Sequence, residues 1–332
     1  MVELSICILT FNHCKMLLEC LDSIHDTTPK ECFEIIIVDS GSTDGTIEMI
    51  KTEYPDIKLI QNQKFYGFSS GNNQAFQLAT GKHIMILNDD TLVLPDTISE
   101  LLEYVKGNPK VGAIGPRLLN KDLSHQYSSY LSFPTIKTDL LTNVLQIKWL
   151  RDLFNSGRSC DADKLDHYGI RNGKKDEVRQ VKHLMGACIL IRKEVLQTVG
   201  ALDEHFYLSL EDQDWCKRIG EAGWEVIFYP ASKIIHLGNQ TVKNLANFGK
   251  IYFRSRSYFQ KKHYGLLSLF LFKIFTVFIA CNNFLISFLL YLCLFYSSRR
   301  MGYRSVMSHS VNTIYWVLGG KKEYVRDLFK TT

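Results

Sequence analysis

The chain has 332 residues, 46% of them apolar and 22% charged. That composition excludes wholesale disorder and a collagen-like fibre, and the length leaves room for one large domain or a domain with an appendage. The formal net charge is +5 but uneven: residues 249–332 hold 13 Lys+Arg against 2 Asp+Glu, and the body before them holds 26 against 32. A basic end on an acidic body suits an anionic partner, either a nucleic acid or a membrane surface.

In chain order, Met1-Val2-Glu3 leads into a short apolar run without a basic leader, so the catalytic part is expected in the cytoplasm. Leu4–Leu9 reads as a buried strand, Met16–Ile24 as a helix, Glu34–Asp39 as a second strand and Ile57–Ile60 as a third. A helix is predicted over Ser69–Thr80 and a strand over His83–Leu87. This βαβα alternation of short β-branched runs and amphipathic stretches predicts an α/β fold, a mostly parallel sheet flanked by helices. Asn120–Val181 is irregular, and its latter part, Asn155–Gln180, is expected to be a mobile excursion. A strand follows at Leu184–Ile191, a helix at Glu211–Ala222 and a strand at Val226–Tyr229. Nine cysteines without a C-x-x-C pair are expected to be free thiols in a reducing compartment.

The character changes from Leu266 to Tyr296, where 25 of 31 residues are apolar and Lys273 is the only charge. One helix of that length would measure roughly 46 Å, against ~30 Å for the hydrocarbon core of a bilayer. Asn282-Asn283 is expected to interrupt it, with Arg254, Arg256, Lys261 and Lys262 before it and Arg299, Arg300 and Arg304 after it. Positive charge on both sides favours two in-plane or re-entrant helices on the inner leaflet over a single span or a buried helix pair. The basic residues flank a greasy segment rather than alternating with aromatics, which selects an anionic membrane surface and no nucleic acid.

Four polar clusters carry candidate chemistry. Asn88-Asp89-Asp90 ends a strand, where ligands of open α/β sheets bind, and its oxygens suit Mg²⁺ or Mn²⁺. Glu211-Asp212-Gln213-Asp214-Trp215 opens a helix, so that one carboxylate can act as a base while its neighbours orient it or complement the helix dipole. His236 closes an apolar run and offers a nitrogen to the same metal. The turn Asp39–Gly45 can bond a base and ribose, or simply cap the following helix. Taken singly, each has an ordinary structural explanation. No P-loop occurs, and Thr10-Phe11-Asn12-His13 follows the first strand where a dinucleotide enzyme needs G-x-G-x-x-G.

In this order the pieces resemble the family 2 glycosyltransferases, over residues 3–264. Ser5–Asn12 is similar to the first-strand signature, with Thr10 and Asn12 at the nucleotide, and Glu34–Thr46 to the second, with Asp39, Ser40 and Ser42 there. Asn62, Gly67-Phe68-Ser69 and Gly71-Asn72-Asn73 look like a third block, bringing Gly67, Phe68 and Asn72 to the sugar-nucleotide. Asn88-Asp89-Asp90 stands at the D-x-D metal motif with Asn in first place, so Asp90 becomes the main ligand, helped by Asn88 and His236, with Asp89 on the donor. Gly186-Ala187-Cys188 and the Asp203-Glu204 block resemble the acceptor side, joined by Trp215. Glu211-Asp212 is similar to the pair whose Asp is the catalytic base.

The resemblance implies the GT-A fold in residues 1–264, with a nucleotide-sugar half (1–115) and an acceptor half (116–264). A membrane-associating tail (265–332) would follow. It implies an inverting, Mg²⁺- or Mn²⁺-dependent transfer from a nucleotide-diphosphate sugar to a saccharide acceptor, expected on a polyprenyl diphosphate at the cytoplasmic face of the inner membrane. The blocks G-A-C, L-D-E and E-D-x-D-W are most like bacterial rhamnosyltransferase-type enzymes of surface polysaccharide assembly, which makes dTDP-rhamnose the first candidate donor. A UDP-hexose, UDP-galactose or UDP-N-acetylhexosamine donor, or a catalytically silent membrane-bound scaffold, are the alternatives.

Overall fold

A computed structural model describes residues 2–28, 33–138, 176–238, 248–293 and 300–318. Most of the expected excursion at Asn155–Gln180 lies outside them, as does the end of the tail. The chain divides into two compact units, Met1–Phe133 with Asp166–Asn244, and Pro134–Leu165 with Leu245–Thr332.

The first unit is built on a mixed sheet. Strands β1 (Leu4–Thr10), β2 (Phe33–Asp39), β3 (Lys58–Gln61) and β4 (His83–Asn88) run parallel in the order β3-β2-β1-β4. Every residue of β1 except Leu9 is buried, because helices cover both faces of a parallel sheet and its strands become continuous apolar runs. Helix α1 (Cys14–Thr27) buries Leu17, Cys20, Leu21 and Ile24, one stripe at helical spacing. Helices α2 (Thr46–Glu53) and α3 (Phe68–Leu78) complete the parallel half, and β5 (Thr91–Val93) follows β4 after a two-residue turn.

The second half of this unit adds α4 (Thr97–Gly107), β6 (Val111–Leu119), short strands β7 (His125–Gln126), β8 (Ser129–Tyr130), β9 (Arg179–Gln180) and β10 (His183–Leu184), then β11 (Cys188–Arg192), α5 (Lys193–Val199), α6 (Glu211–Glu221) and β12 (Glu225–His236). Beyond β4 the sheet continues β11-β6-β12-β5, with β11 antiparallel to both β4 and β6. The strand expected at Leu184–Ile191 is split. Leu184 pairs with Ser129 in a two-stranded sheet, and Met185–Ala187 form a turn before β11 starts. The strand expected at Val226–Tyr229 instead runs on to His236 through an irregularity between Tyr229 and Lys233.

The second unit contains α7 (Phe248–Cys293) and α8 (Arg300–Val317), with α7 broken at Gly265, whose φ of 83° is left-handed. The expected interruption at Asn282-Asn283 is not where the helix breaks: α7 passes through both asparagines, which a helix tolerates far better than a glycine in the left-handed region. Arg256 is also corrected. It is buried, its Nη1 donating to the Pro134 carbonyl at 2.9 Å and its guanidinium 5.1 Å from the Phe272 ring centre, so it does not face an anionic surface. By length and composition, one helix among the described residues, Phe248–Leu289, is long and apolar enough to cross a membrane.

Candidate active site

The parallel strands deliver three polar side chains to one edge of the sheet. Thr10 lies opposite Asp39 and Leu9 opposite Asn88, so the carboxyl ends of β1, β2 and β4 are level. Two loops above this edge are tied together. Asn12 Oδ1 accepts from the Thr43 N–H at 2.7 Å, and the Asn12 N–H donates to Ser42 Oγ at 2.8 Å. Asp39 Oδ2 accepts from the Gly41 and Ser42 N–H groups, and the Ser40 N–H donates to the Thr10 carbonyl. The side chains of Asn12 and Ser42 are thus occupied in shaping the pocket wall. Asp39 Oδ1 and Asn72 Oδ1 are buried without hydrogen-bond partners. Unpartnered buried oxygens are costly in a finished core and are expected where a ligand completes them.

Gly67, with φ 107°, precedes α3, and a Cβ there would lie 2.8 Å from the Tyr207 carbonyl oxygen. The Phe68 N–H donates to that carbonyl and Ser69 Oγ to the Phe206 carbonyl, so the start of α3 is docked against the loop that leads into α6. Phe68 is half-buried against the core, and its carbonyl accepts from Asn72 Nδ2.

Asp90 and His236 meet through strand pairing. His236 lies opposite Thr91 in the β12–β5 ladder, and the Leu237 N–H donates to the Asp90 carbonyl at 2.9 Å. His236 Nε2 is 3.3 Å from Asp90 Oδ1 and 3.5 Å from Asn88 Nδ2, while Nδ1 is 2.6 Å from Gln126 Oε1. Asp90 Oδ1 is buried and makes no hydrogen bond. With its Nδ1 proton on Gln126 Oε1, a neutral His236 turns a lone pair towards this carboxylate oxygen, an arrangement that is repulsive unless positive charge lies between them. The 3.3 Å separation is close to the about 3 Å between adjacent ligands of an octahedral ion with bonds of about 2.1 Å. The donor set therefore fits a divalent cation. Among the described residues no cluster of three His, Cys, Asp or Glu side chains could hold one alone. An anionic ligand such as a diphosphate would have to complete the shell.

Asp89 does not join this pair. It is buried, and its Oδ2 lies 3.0 Å from His13 Nδ1, a contact that raises the imidazole above its ordinary pKa.

At the start of α6, Ser209 and Leu210 have φ of 74° and 69°, left-handed conformations that cost a non-glycine residue energy. Leu210 is buried as an anchor, and the turn sets Glu211 and Asp212 at the first positions of the helix. Asp212 Oδ2 accepts from the Gly186 N–H at 3.0 Å and Oδ1 from the Gln213 N–H at 2.7 Å. Burial nevertheless pushes Asp212 up to about 6. Glu211 is raised well above the carboxylate range by burial and by the Asp212 charge beside it. Its Oε2 is buried without a partner. The Asn88 N–H donates to the Ala187 carbonyl at 3.0 Å. The Met185–Ala187 turn therefore joins the strand end bearing Asn88 to the helix start bearing Asp212.

Not every expected residue is brought here. Trp215 is corrected: it is fully buried, stacked on Phe76 at 5.7 Å, with Nε1 donating to the Gly200 carbonyl, so it is core and does not line an acceptor surface. Asp203 accepts from the His205 N–H, and Glu204 accepts from Asn73 Nδ2, which ties their loop to α3. His13 and Gln126 were missed by sequence reasoning. His13 adjoins the expected first block, but Gln126 sits in the two-residue strand β7 within a bland polar stretch and meets His236 across 110 residues.

The family model described as "Glycosyl transferase family 2" matches residues 5–200. The N-acetylglucosaminyl-diphospho-decaprenol L-rhamnosyltransferase of Mycobacterium tuberculosis is 27% identical over 213 residues, 61% of this chain and 66% of that enzyme. The chain thus spans just under two thirds of that relative's length. The poly-beta-1,6-N-acetyl-D-glucosamine synthase of Staphylococcus aureus is 35% identical over 110 residues, 30% of this chain and 27% of the synthase. The mannosyltransferase PcManGT from Pyrobaculum calidifontis, solved with GDP-Man and Mn²⁺, covers 96% of this chain and 86% of its own at a TM-score of 0.50 and 14% identity. GalNAc-T7 with UDP, GalNAc and Mn²⁺ covers 78% and 50% at a TM-score of 0.52 and 16% identity.

Proposed function

The chain belongs to glycosyl transferase family 2 and has the GT-A fold, and from that premise we propose that it is an inverting, cation-dependent transferase of surface polysaccharide synthesis. The donor is a nucleoside-diphosphate sugar, dTDP-L-rhamnose in the first instance. The acceptor is a hydroxyl of a saccharide on a polyprenyl diphosphate, at the cytoplasmic face of the inner membrane. The rhamnosyltransferase relative, named for a decaprenol-linked sugar, supports both choices. A UDP-linked donor is the second reading, favoured by the match to the N-acetylglucosamine polymer synthase.

One observation carries the proposal. The Asn88 N–H on the Ala187 carbonyl and the Gly186 N–H on Asp212 link the Asp90–His236 pair to the Glu211–Asp212 pair within a single turn. The unpartnered oxygens of Asp39 and Asn72, with the Thr10 hydroxyl beside them at the strand ends, are suited to bind base, ribose and sugar. Asp90, His236 and Asn88 would hold Mg²⁺ or Mn²⁺, whose charge would be set against that of the departing diphosphate. Asp212 accepts the proton of the acceptor hydroxyl. That oxygen bonds to the anomeric carbon as the carbon–oxygen bond to the diphosphate breaks on the opposite face, and its electron pair leaves with the nucleotide. A single displacement inverts the anomeric centre. Glu211, held towards its protonated form, keeps the buried pair from carrying two charges.

Thermal-shift titration with dTDP-, UDP- and GDP-sugars in Mn²⁺, followed by a transfer assay on polyprenyl-diphosphate-linked N-acetylglucosamine, tests this reading. A cation-dependent shift with the matching sugar, lost in Asp90→Ala, is expected. Stabilisation and transfer that persist in EDTA would overturn the cation, and no shift with any sugar nucleotide would overturn the donor class.

A further inference from the structure

We propose that Gln126 is a positioning residue that fixes which ring nitrogen of His236 is offered to the cation, and thereby sets the affinity of the site for Mn²⁺ or Mg²⁺. The inference rests on the reading of Asn88, Asp90 and His236 as a cation site.

The hydrogen bonds around Gln126 leave one assignment. Its Nε2 donates to Asn120 Oδ1 at 3.0 Å and to the His236 carbonyl at 3.1 Å. Both partners only accept, so the amide cannot be turned over without losing two bonds. Asn120 is itself held, its Nδ2 donating to Ser124 Oγ at 2.9 Å and its N–H to the Ser124 carbonyl. Gln126 Oε1 therefore faces His236 Nδ1, at 2.6 Å. A carbonyl oxygen only accepts, so Nδ1 carries a proton and, in the neutral ring, Nε2 keeps its lone pair, the form in which imidazole binds a metal. Gly238, at φ +61°, lies flush against the pair, and a Cβ there would come within 3.3 Å of Gln126 Nε2.

The alternative tautomer has a clear cost. With the proton on Nε2, the ring would donate across the 3.3 Å gap to Asp90 Oδ1, occupying both the histidine lone pair and the buried aspartate oxygen. Gln126 excludes that internally satisfied arrangement: Asp90 Oδ1 stays without a donor, and the donor facing Nε2 is the Asn88 amide at 3.5 Å, a long contact that a cation would replace. A partner of this kind on a metal-ligating histidine is worth typically about 10–100-fold in metal affinity.

Calorimetric titration of the full chain with Mn²⁺, alone and with dTDP or UDP, reads this without turnover. Gln126→Leu is expected to weaken Mn²⁺ binding about 10–100-fold. Gln126→Glu still accepts the Nδ1 proton but loses both Nε2 bonds, so it should bind Mn²⁺ more weakly than the parent and more tightly than Gln126→Leu. Equal affinity in Gln126→Leu and the parent overturns the proposal, as does an equal loss in both variants. Long-range ¹H–¹⁵N correlation of His236 in the metal-free parent needs no variant to fold: the Nδ1–H tautomer supports the assignment, and the Nε2–H tautomer or an even mixture overturns it. A parent chain that binds no Mn²⁺ sinks the cation site and this account of its affinity together, whereas weakened binding confined to neither variant sinks the role of Gln126 alone.

Discussion

Burial is what makes Asp212 a usable base. Burial lifts the carboxyl to about 6 against the lowering pull of the Gly186 and Gln213 N–H groups on its oxygens, close to neutral pH. A base must be unprotonated to act, so kcat should rise with pH through about 6 and level off above it. Asp212→Asn should lower kcat by about 10²–10⁴ while the dissociation constant for the donor stays unchanged. A steady-state pH profile and equilibrium dialysis of the donor check the two statements separately. The same shift acts on stability with the opposite sign. Because the folded chain holds this proton more tightly than the unfolded one, the contribution is present below the ordinary carboxylate range and is lost as pH rises through about 6. The conditions that activate the base are those in which the fold gains least from it.

At the scale of the elements, the site depends on how α3 supports the entry to α6. Gly67 has a left-handed φ and no room for a side chain, since a Cβ would press on the Tyr207 carbonyl at 2.8 Å. Gly45 has a similar φ of 89° but nothing within 4 Å of a Cβ, so it isolates the backbone cost alone. Gly45→Ala should cost about 1 kcal/mol in thermal unfolding. Gly67→Ala should cost more and should also depress kcat, because displacing Tyr207 disturbs the strained Ser209-Leu210 turn that aims Asp212. If the two variants lose the same stability and neither loses kcat, the α3–loop contact does not govern the site.

What the sequence disclosed at this scale follows the same physics. Strands β1, β2 and β4 were legible because both of their faces are buried, and Thr10, Asp39 and Asn88 were legible as polar residues at their ends. Strand β6 was not, because Gly112, Gly115 and Pro116 interrupt its apolar pattern. Gly112 is there for packing, as a Cβ would lie 2.6 Å from Trp224. Pro230 disguised the length of β12, which the irregularity between Tyr229 and Lys233 accommodates. Trp215 was placed at the acceptor because it shares a motif with Asp212. Residues three apart are neighbours on a helix, so the spacing does not separate them; the motif could not show that the Trp215 ring packs into the core against Phe76. Gln126 had no local signal at all, since its meaning lies in a partner 110 residues away.

At the scale of the whole molecule, the second unit carries an exposed apolar surface of the kind that a bilayer covers. Beyond Gly265, Leu267, Leu271, Ile274, Phe278, Leu285 and Leu292 recur at helical spacing and are exposed, while Phe272, Ala280 and Ser287 are buried. A long apolar stripe turned outward is unfavourable in water and favourable against acyl chains, at about 1.5–3 kcal/mol for each large side chain transferred. Lys261 and Lys262 stand exposed just before it, where they can meet anionic headgroups. The chain should therefore co-sediment with vesicles containing phosphatidylglycerol, and raised salt should weaken but not abolish that binding, since salt screens the lysines and not the stripe. Replacing Leu267, Leu271 and Phe278 by Glu should cut partitioning more than tenfold, given several kcal/mol of lost transfer energy. Donor-induced thermal shift should be unaffected, because these side chains are 71%, 45% and 66% exposed and none belongs to the first unit. The triple variant should then turn over a water-soluble acceptor analogue at the parental rate and lose rate only on the lipid-linked acceptor in vesicles. Equal rates on both acceptors would mean that the stripe serves another contact and that membrane seating contributes nothing to catalysis.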